Sequence, residues 1–198
     1  MSRPFERSRL GGLALVLSLL LVACARRAEP ELHNIPDGFT GRVFILHDVV
    51  GGAPAQHDSG NGLTDPAWRI YDIPSDGILR STTSMPEGTW EEGDVLYCHQ
   101  DGHWLTYLRT LEDTPEHRAD DSVAVYNRHS LVVSSPDTPC PVEVECYSVG
   151  TQAALLDDPA DERAERAWLL EYLQQHAVQC SRRHGRRRRL LAVTAPRP

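Results

Sequence analysis

The chain has 198 residues, 20 basic and 28 acidic, for a formal net charge of −8 at pH 7, and every basic residue is Arg. Hydrophobic residues make up 40% of it, enough for the core of one domain, which excludes a disordered tail. Its 14 Gly and 14 Pro argue against a helical bundle and for a turn-rich fold.

Residues 1–23 read as a lipoprotein signal peptide. Arg3, Arg7 and Arg9 form a positive start, and uncharged, mostly apolar residues run from Leu10 to Val22. That run is short for a bilayer span and suits a signal core. It ends Leu21-Val22-Ala23-Cys24, which resembles a bacterial lipobox with Cys24 as the lipidated residue. An ordinary signal peptide cleaved nearby and a membrane anchor are the alternatives. Ala25 stands where an Asp would mark inner-membrane retention in Gram-negative lipoproteins, so by resemblance the outer membrane is favoured over the inner. The expected mature protein is anchored to the bacterial envelope without spanning it.

Residues 24–35 read as a tether and 36–185 as the folded domain. Pro36-Asp37-Gly38 is turn chemistry, and Arg42 to Val50 reads as the first strand. A Gly- and Pro-rich loop spans 51–67, and strands are expected at Trp68–Ile73 and Ile78–Thr83. Asp94–Gln100 and His103–Arg109 flank Asp101-Gly102, the signature of a two-residue β-hairpin. On that register Cys98 opposes residue 105 and Gln100 opposes His103. An acidic loop spans 112–121, and short strands follow at Ser122–Asn127, Ser130–Ser134 and Val142–Val149. This spacing predicts a small antiparallel β-sandwich or barrel-like domain. The period then turns helical. Asp158 is placed as N-cap, Pro159 as the first helical residue and Gly185 as the stop, so one helix is expected over about 159–184. Its apolar positions are Ala164, Ala167, Trp168, Leu170, Tyr172, Leu173 and Ala177.

Charge is uneven along the mature chain, with −17 over residues 24–181 and +7 over 182–198. The acidic body gives no reason to expect nucleic-acid binding. The Arg-rich tail 186–198 begins Arg186, Arg187, Arg188 and Arg189, just after Arg182 and Arg183. Clustered guanidinium groups bind phosphates and carboxylates. The partners this implies are an anionic lipid, lipopolysaccharide or an acidic envelope protein; an unselected tail, or one that folds back on its own acidic body, is the alternative.

Besides Cys24, the chain carries Cys98, Cys140, Cys146 and Cys180, an even count that suits two disulfides in an exported protein. If residues 140–146 are extended, the two cysteines stand roughly 20 Å apart, too far for a bond. Distant partners are then slightly preferred, with connectivity open and two unpaired thiols as the alternative.

Three stretches resemble an uncharacterised family of bacterial exported proteins. They are Ile35 to Val43 (Ile-Pro-Asp-Gly-Phe-Thr-Gly-Arg-Val), Ile73 to Leu79 (Ile-Pro-Ser-Asp-Gly-Ile-Leu) with Met85-Pro-Glu-Gly88, and Tyr147 to Thr151 (Tyr-Ser-Val-Gly-Thr). The resemblance implies a small β-rich domain and brings no assigned activity.

Catalytic motifs are lacking. The sequence holds no nucleophile elbow, no paired Cys-x-x-Cys, no His-Glu-x-x-His and no phosphate loop. Cys98, His99 and His103 cluster at the predicted hairpin and are the candidate thiol and metal ligands, although successive strand residues face opposite sides. No cofactor is expected. The sequence thus points to a lipid-anchored binding or structural module, with an extracytoplasmic enzyme or metal-binding protein using Cys98, His99 and His103 as the alternative.

Overall fold

The computed structural model describes residues 27–58, 67–89, 93–135, 140–157 and 161–180. Cys24, Asp158 and Pro159, and the Arg run at 186–189 lie outside these. Nine strands form one mixed sheet: β1 (Glu31–Ile35), β2 (Gly41–Leu46), β3 (Gln56–Asp58), β4 (Trp68–Asp72), β5 (Ile78–Arg80), β6 (Val95–His99), β7 (Trp104–Leu108), β8 (Val123–Val133) and β9 (Val142–Thr151). Their order is β3-β4-β1-β6-β7-β8-β9-β2-β5, and the sheet curls into a half-barrel. The helices are α1 (Pro115–Arg118), α2 (Gln152–Asp157) and α3 (Glu162–Gln175). None of the described helices is long and apolar enough to cross a membrane.

The fold is mainly β, as the sequence implied, but it is one curled sheet and not an antiparallel sandwich. β1 runs parallel to both β4 and β6, β7 is parallel to β8, and β2 is parallel to β5. Turn signals reveal hairpins between neighbours in sequence. Parallel pairs need crossovers, and these leave no comparable local mark.

β1 is the largest departure from the expected organisation. Residues 31–35, read as part of a tether, form an interior strand of the sheet, with Glu31, His33 and Ile35 fully buried. The fold begins earlier still: Ala28 is buried, its N–H donates to Thr89 O at 3.0 Å, and Arg27 pairs with Asp94. Glu-Leu-His-Asn-Ile buries Glu31 and His33 while Leu32 between them is only partly buried, opposite to the usual pattern.

The β6–β7 hairpin is present with a different register. Its loop is three residues, Gln100 to Gly102, closed by His99 N–H donating to His103 O at 2.8 Å. Tyr97 opposes Leu105 and Cys98 opposes Trp104. Gln100 leaves the ladder because its N–H donates to Ile35 O of β1, and Gly102 takes the left-handed conformation at φ +90°. The two strands expected at 122–127 and 130–134 are one, β8, with a bulge between Tyr126 and His129. Asn127 sits in this bulge at φ +56°.

α3 is shorter than expected. Asp161 caps it, accepting from Arg163 N–H at 2.9 Å. It stops at a Schellman motif: Ala177 N–H donates to Gln174 O, Val178 N–H donates to Leu173 O, and Ala177 stands at φ +46°. Gly185 is not needed, because an alanine takes the position where glycine is usual. The buried stripe is Glu165, Leu169 and Leu173, while Trp168 is 40% exposed and stacks on Phe44 and Tyr172.

Two cores result, one on each side of the sheet. Phe44, Leu46, Leu131, Val133, Val142 and Val144 pack beneath Leu169 and Leu173 of α3. Ile35, Val43, Ile45, Tyr71, Tyr97 and Tyr147 line the inside of the half-barrel.

Candidate functional site

The inside of the half-barrel holds an ionic group. Alternation on β9 sends Val144 and Cys146 toward α3 and Glu145 and Tyr147 inward. On β1 the inward positions are Glu31 and His33. The bulge at Asn127 shifts β8 by one residue. Val123 and Val125 face inward before it, whereas Leu131 and Val133 face α3 after it. This turns Arg128 into the half-barrel.

There Arg128 bridges both carboxylates, with Nη2 2.9 Å from Glu31 Oε2 and Nε 2.5 Å from Glu145 Oε1. His33 Nε2 lies 3.6 Å from Glu31 Oε2 and 3.9 Å from Glu145 Oε1, and His33 Nδ1 is 3.0 Å from Tyr147 OH. The rings of Tyr71, Tyr97 and Tyr147 surround His33 at 5.1–5.4 Å. Burial and the charge of Glu145 raise the Glu31 carboxyl above its ordinary range. Burial acts on Glu145 in the same sense, but Arg128 and His33 outweigh it and the net shift is downward. Burial pushes the phenols of Tyr71, Tyr97 and Tyr147 up, so all three remain neutral donors at physiological pH.

The group is not fully satisfied. Glu31 Oε1, His33 Nε2 and Tyr97 OH are buried without a hydrogen-bond partner. Each such atom costs about 1–3 kcal/mol. A cleft of about 650 Å³ ends on this group, lined by Met85, Tyr97, Tyr107, Arg109, Arg128 and Glu145 among others. Ligand atoms of Glu31, His33 and Glu145 lie within 4.8 Å of one another, as a metal site would require. The Arg128 guanidinium, bonded to both carboxylates, already supplies the positive charge and would repel a divalent ion there.

The residues singled out from the sequence are placed elsewhere. His99 Nδ1 is 3.2 Å from Pro36 O, and the side chain of His103 is 81% exposed. Neither joins a group of three converging metal-ligand atoms among the described residues. Cys98 Sγ donates to Asn34 Oδ1 at 3.1 Å, and burial, with Asp101 and Asp72, pushes its thiol up, away from a reactive thiolate. Of the four candidate disulfide cysteines, Cys140 and Cys180 are bonded, while Cys98 and Cys146 are free and buried. Two disulfides were expected and one forms, because Cys98 lies on the β1 side of the sheet and Cys146 on a strand facing α3. The residues that the sequence did not reveal are Glu31, His33, Arg128 and Glu145. Their signal was weak: charged residues inside β-prone runs, one of them hidden by a bulge.

No protein-family model and no curated protein matches the chain. Among solved structures, a crystal structure of a candidate lipoprotein from Bacillus anthracis is similar in outline. It covers 76% of this chain and 96% of its own, with a TM-score of 0.44 and 13% sequence identity. Likeness at that level transfers neither a ligand nor a mechanism.

Proposed function

We propose that this is a lipid-anchored protein of the bacterial envelope whose half-barrel is a binding module, with the cleft above Tyr97, Arg128 and Glu145 as its ligand site. The lipobox ending at Cys24 supports the anchor, and Ala25 favours the outer membrane. The observation that carries the binding role is a cleft lined by Tyr97, whose buried hydroxyl has no partner within the protein, with the unpaired Glu31 Oε1 and His33 Nε2 in the ionic group behind it. A folded chain that leaves such atoms unpaired sacrifices stability, and a small polar ligand would recover it. The Arg run at 186–189 belongs to the same proposal as a contact for anionic lipid, lipopolysaccharide or an acidic envelope partner.

The test is intact mass under non-denaturing conditions on protein extracted from its own membranes. The expected result is a chain beginning at Cys24 with acyl chains attached. It also carries a small molecule that is missing from Tyr97→Phe. That variant removes only an unpartnered hydroxyl, so its melting temperature should equal or slightly exceed the parent's. A chain that begins elsewhere rejects the anchor. A retained molecule unaffected by Tyr97→Phe, or none retained, rejects the cleft as the site.

A further inference from the structure

On the other face of the sheet, beneath α3, lies a second group that shares only His129 with the cleft lining. His129 of β8, Cys146 of β9 and Glu165 of α3 each offer one ligand atom, and these atoms all lie within 4.8 Å of one another. The strand register sets two of the three. His129, Cys146 and Phe44 form one row across β8, β9 and β2, on the face where Phe44 meets Trp168. Glu165 then enters from the buried stripe of the helix.

The internal bonding prepares these groups as ligands. Arg42 bonds Glu165 through Oε1, so Oε2 is turned to His129 Nε2 at 2.8 Å. His129 Nδ1 lies 2.8 Å from Asn127 O, the residue held in the bulge. With its N–H donated to that carbonyl, Nδ1 leaves the Nε2 lone pair facing the carboxylate. A second-neighbour carbonyl orients metal-binding histidines in this way. Two acceptors 2.8 Å apart need a proton or a cation between them. Cys146 supplies a further reason. It continues the stripe Val142–Val144 toward α3, where another valine would pack as well. It stands instead as a free thiol in a chain that bonds Cys140 to Cys180, and among the described residues it makes no hydrogen bond.

We propose that His129, Cys146 and Glu165 form a binding site for zinc or a divalent cation of similar softness at the seam between the sheet and α3. Mixed sulfur, nitrogen and oxygen donors are the set zinc prefers, and three protein ligands leave a fourth position for water or another ligand. Ligand atoms around tetrahedral zinc stand roughly 3.3–3.6 Å apart, so closure needs only small side-chain shifts. Two protons leave to solvent: the thiol S–H bond breaks as a sulfur–metal bond forms, and the proton held between His129 Nε2 and Glu165 Oε2 departs as both atoms take the ion. Thiolate and carboxylate bring two negative charges against the ion's two positive ones; Arg42 stays on Glu165 Oε1, the one carboxylate of this group, where Arg128 in the half-barrel bridges two. Cys146 and Glu165 do not line the cleft, and neither proposal depends on the other.

The test uses the full mature chain, stripped with a chelator and titrated with cobalt(II) as a coloured stand-in for zinc. The expected result is one cobalt per chain, with a thiolate-to-cobalt charge-transfer band that zinc abolishes. Cys146→Ala loses the band and His129→Gln weakens binding about tenfold or more, while Cys98→Ala binds as the parent does. Absence of a thiolate band in the parent at saturating cobalt overturns the proposal and makes the group an ion-pair clamp. So does a band that survives Cys146→Ala. Because both of these readings need no His129 variant, a failure of His129→Gln to fold does not protect the proposal.

Discussion

The same strands build two faces of different character. Toward α3, β9 presents Val142, Val144 and Cys146, and the helix answers with Leu169 and Leu173. Toward the half-barrel, the next residues along β9, Glu145 and Tyr147, meet Glu31, His33 and Arg128. The helix face gains from apolar burial, which is insensitive to the exact partner. The inner face holds two carboxylates that are tolerable only because one guanidinium bridges them. A fold needs the first kind of face. The second kind costs stability unless its groups have another task, which is why the functional reading rests there.

The comparison is broken most directly at Arg128. Arg128→Met leaves Glu31 and Glu145 buried without their cation and should cost about 3–5 kcal/mol in denaturant unfolding. A loss no greater than that of Arg42→Met, whose partner Glu165 lies on the helix face, would show that the inner ionic group is not special. On that helix face, Leu169→Ala removes a fully buried side chain and should cost about 3 kcal/mol. A loss below about 1 kcal/mol would mean that α3 is not part of the core.

pH sharpens the contrast further. His47 is fully buried, its Nδ1 3.3 Å from Thr83 O, and burial lowers its pKa from the ordinary 6.5. As pH falls below 6.5, the unfolded chain gains a proton there that the folded chain resists, so stability falls with acidification. The slope from this residue is at most about 1.4 kcal/mol per pH unit, and His47→Gln should flatten the profile just below 6.5. An unchanged profile would exclude His47 as the source. The smallest effect is at the helix cap: Asp161→Ala should cost about 1 kcal/mol in the same unfolding assay. No measurable loss would show that the start of α3 is held by packing alone.

The helix face was largely legible in the sequence, and the inner face was not. β-branched runs gave β2, β4, β6, β7 and β9 near their observed positions, and the Asp-Gly turn gave the hairpin. A helix period located α3, although its buried side turned out to be Glu165–Leu169–Leu173, not the side carrying Trp168. β1 was missed because burial of Glu31 and His33 is paid back only by Arg128, 97 residues away from Glu31. No local window contains that pairing. The bulge was missed for a related reason: Asn enters the left-handed region more readily than most residues, but nothing in Tyr-Asn-Arg-His sets Asn127 apart from an ordinary strand position. One inserted residue there decides the aim of both Arg128 and His129, and hence both candidate sites.

The early start of the folded domain has a mechanical consequence. If Cys24 carries the proposed acyl chains, only Ala25 and Arg26 would separate that anchor from Arg27, which is already held to Thr89 and Asp94. Three residue steps reach at most about 10 Å. The domain would then stand on the lipid surface as on a short stem, unable to swing freely, with one fixed end toward the bilayer. Of the cleft lining, Gly93 is the neighbour of Asp94 in the chain and Met85 lies four residues before Thr89. A ligand seated there would be met within a headgroup's reach of the membrane, and the orientation of the whole molecule would be set by a stem three residues long.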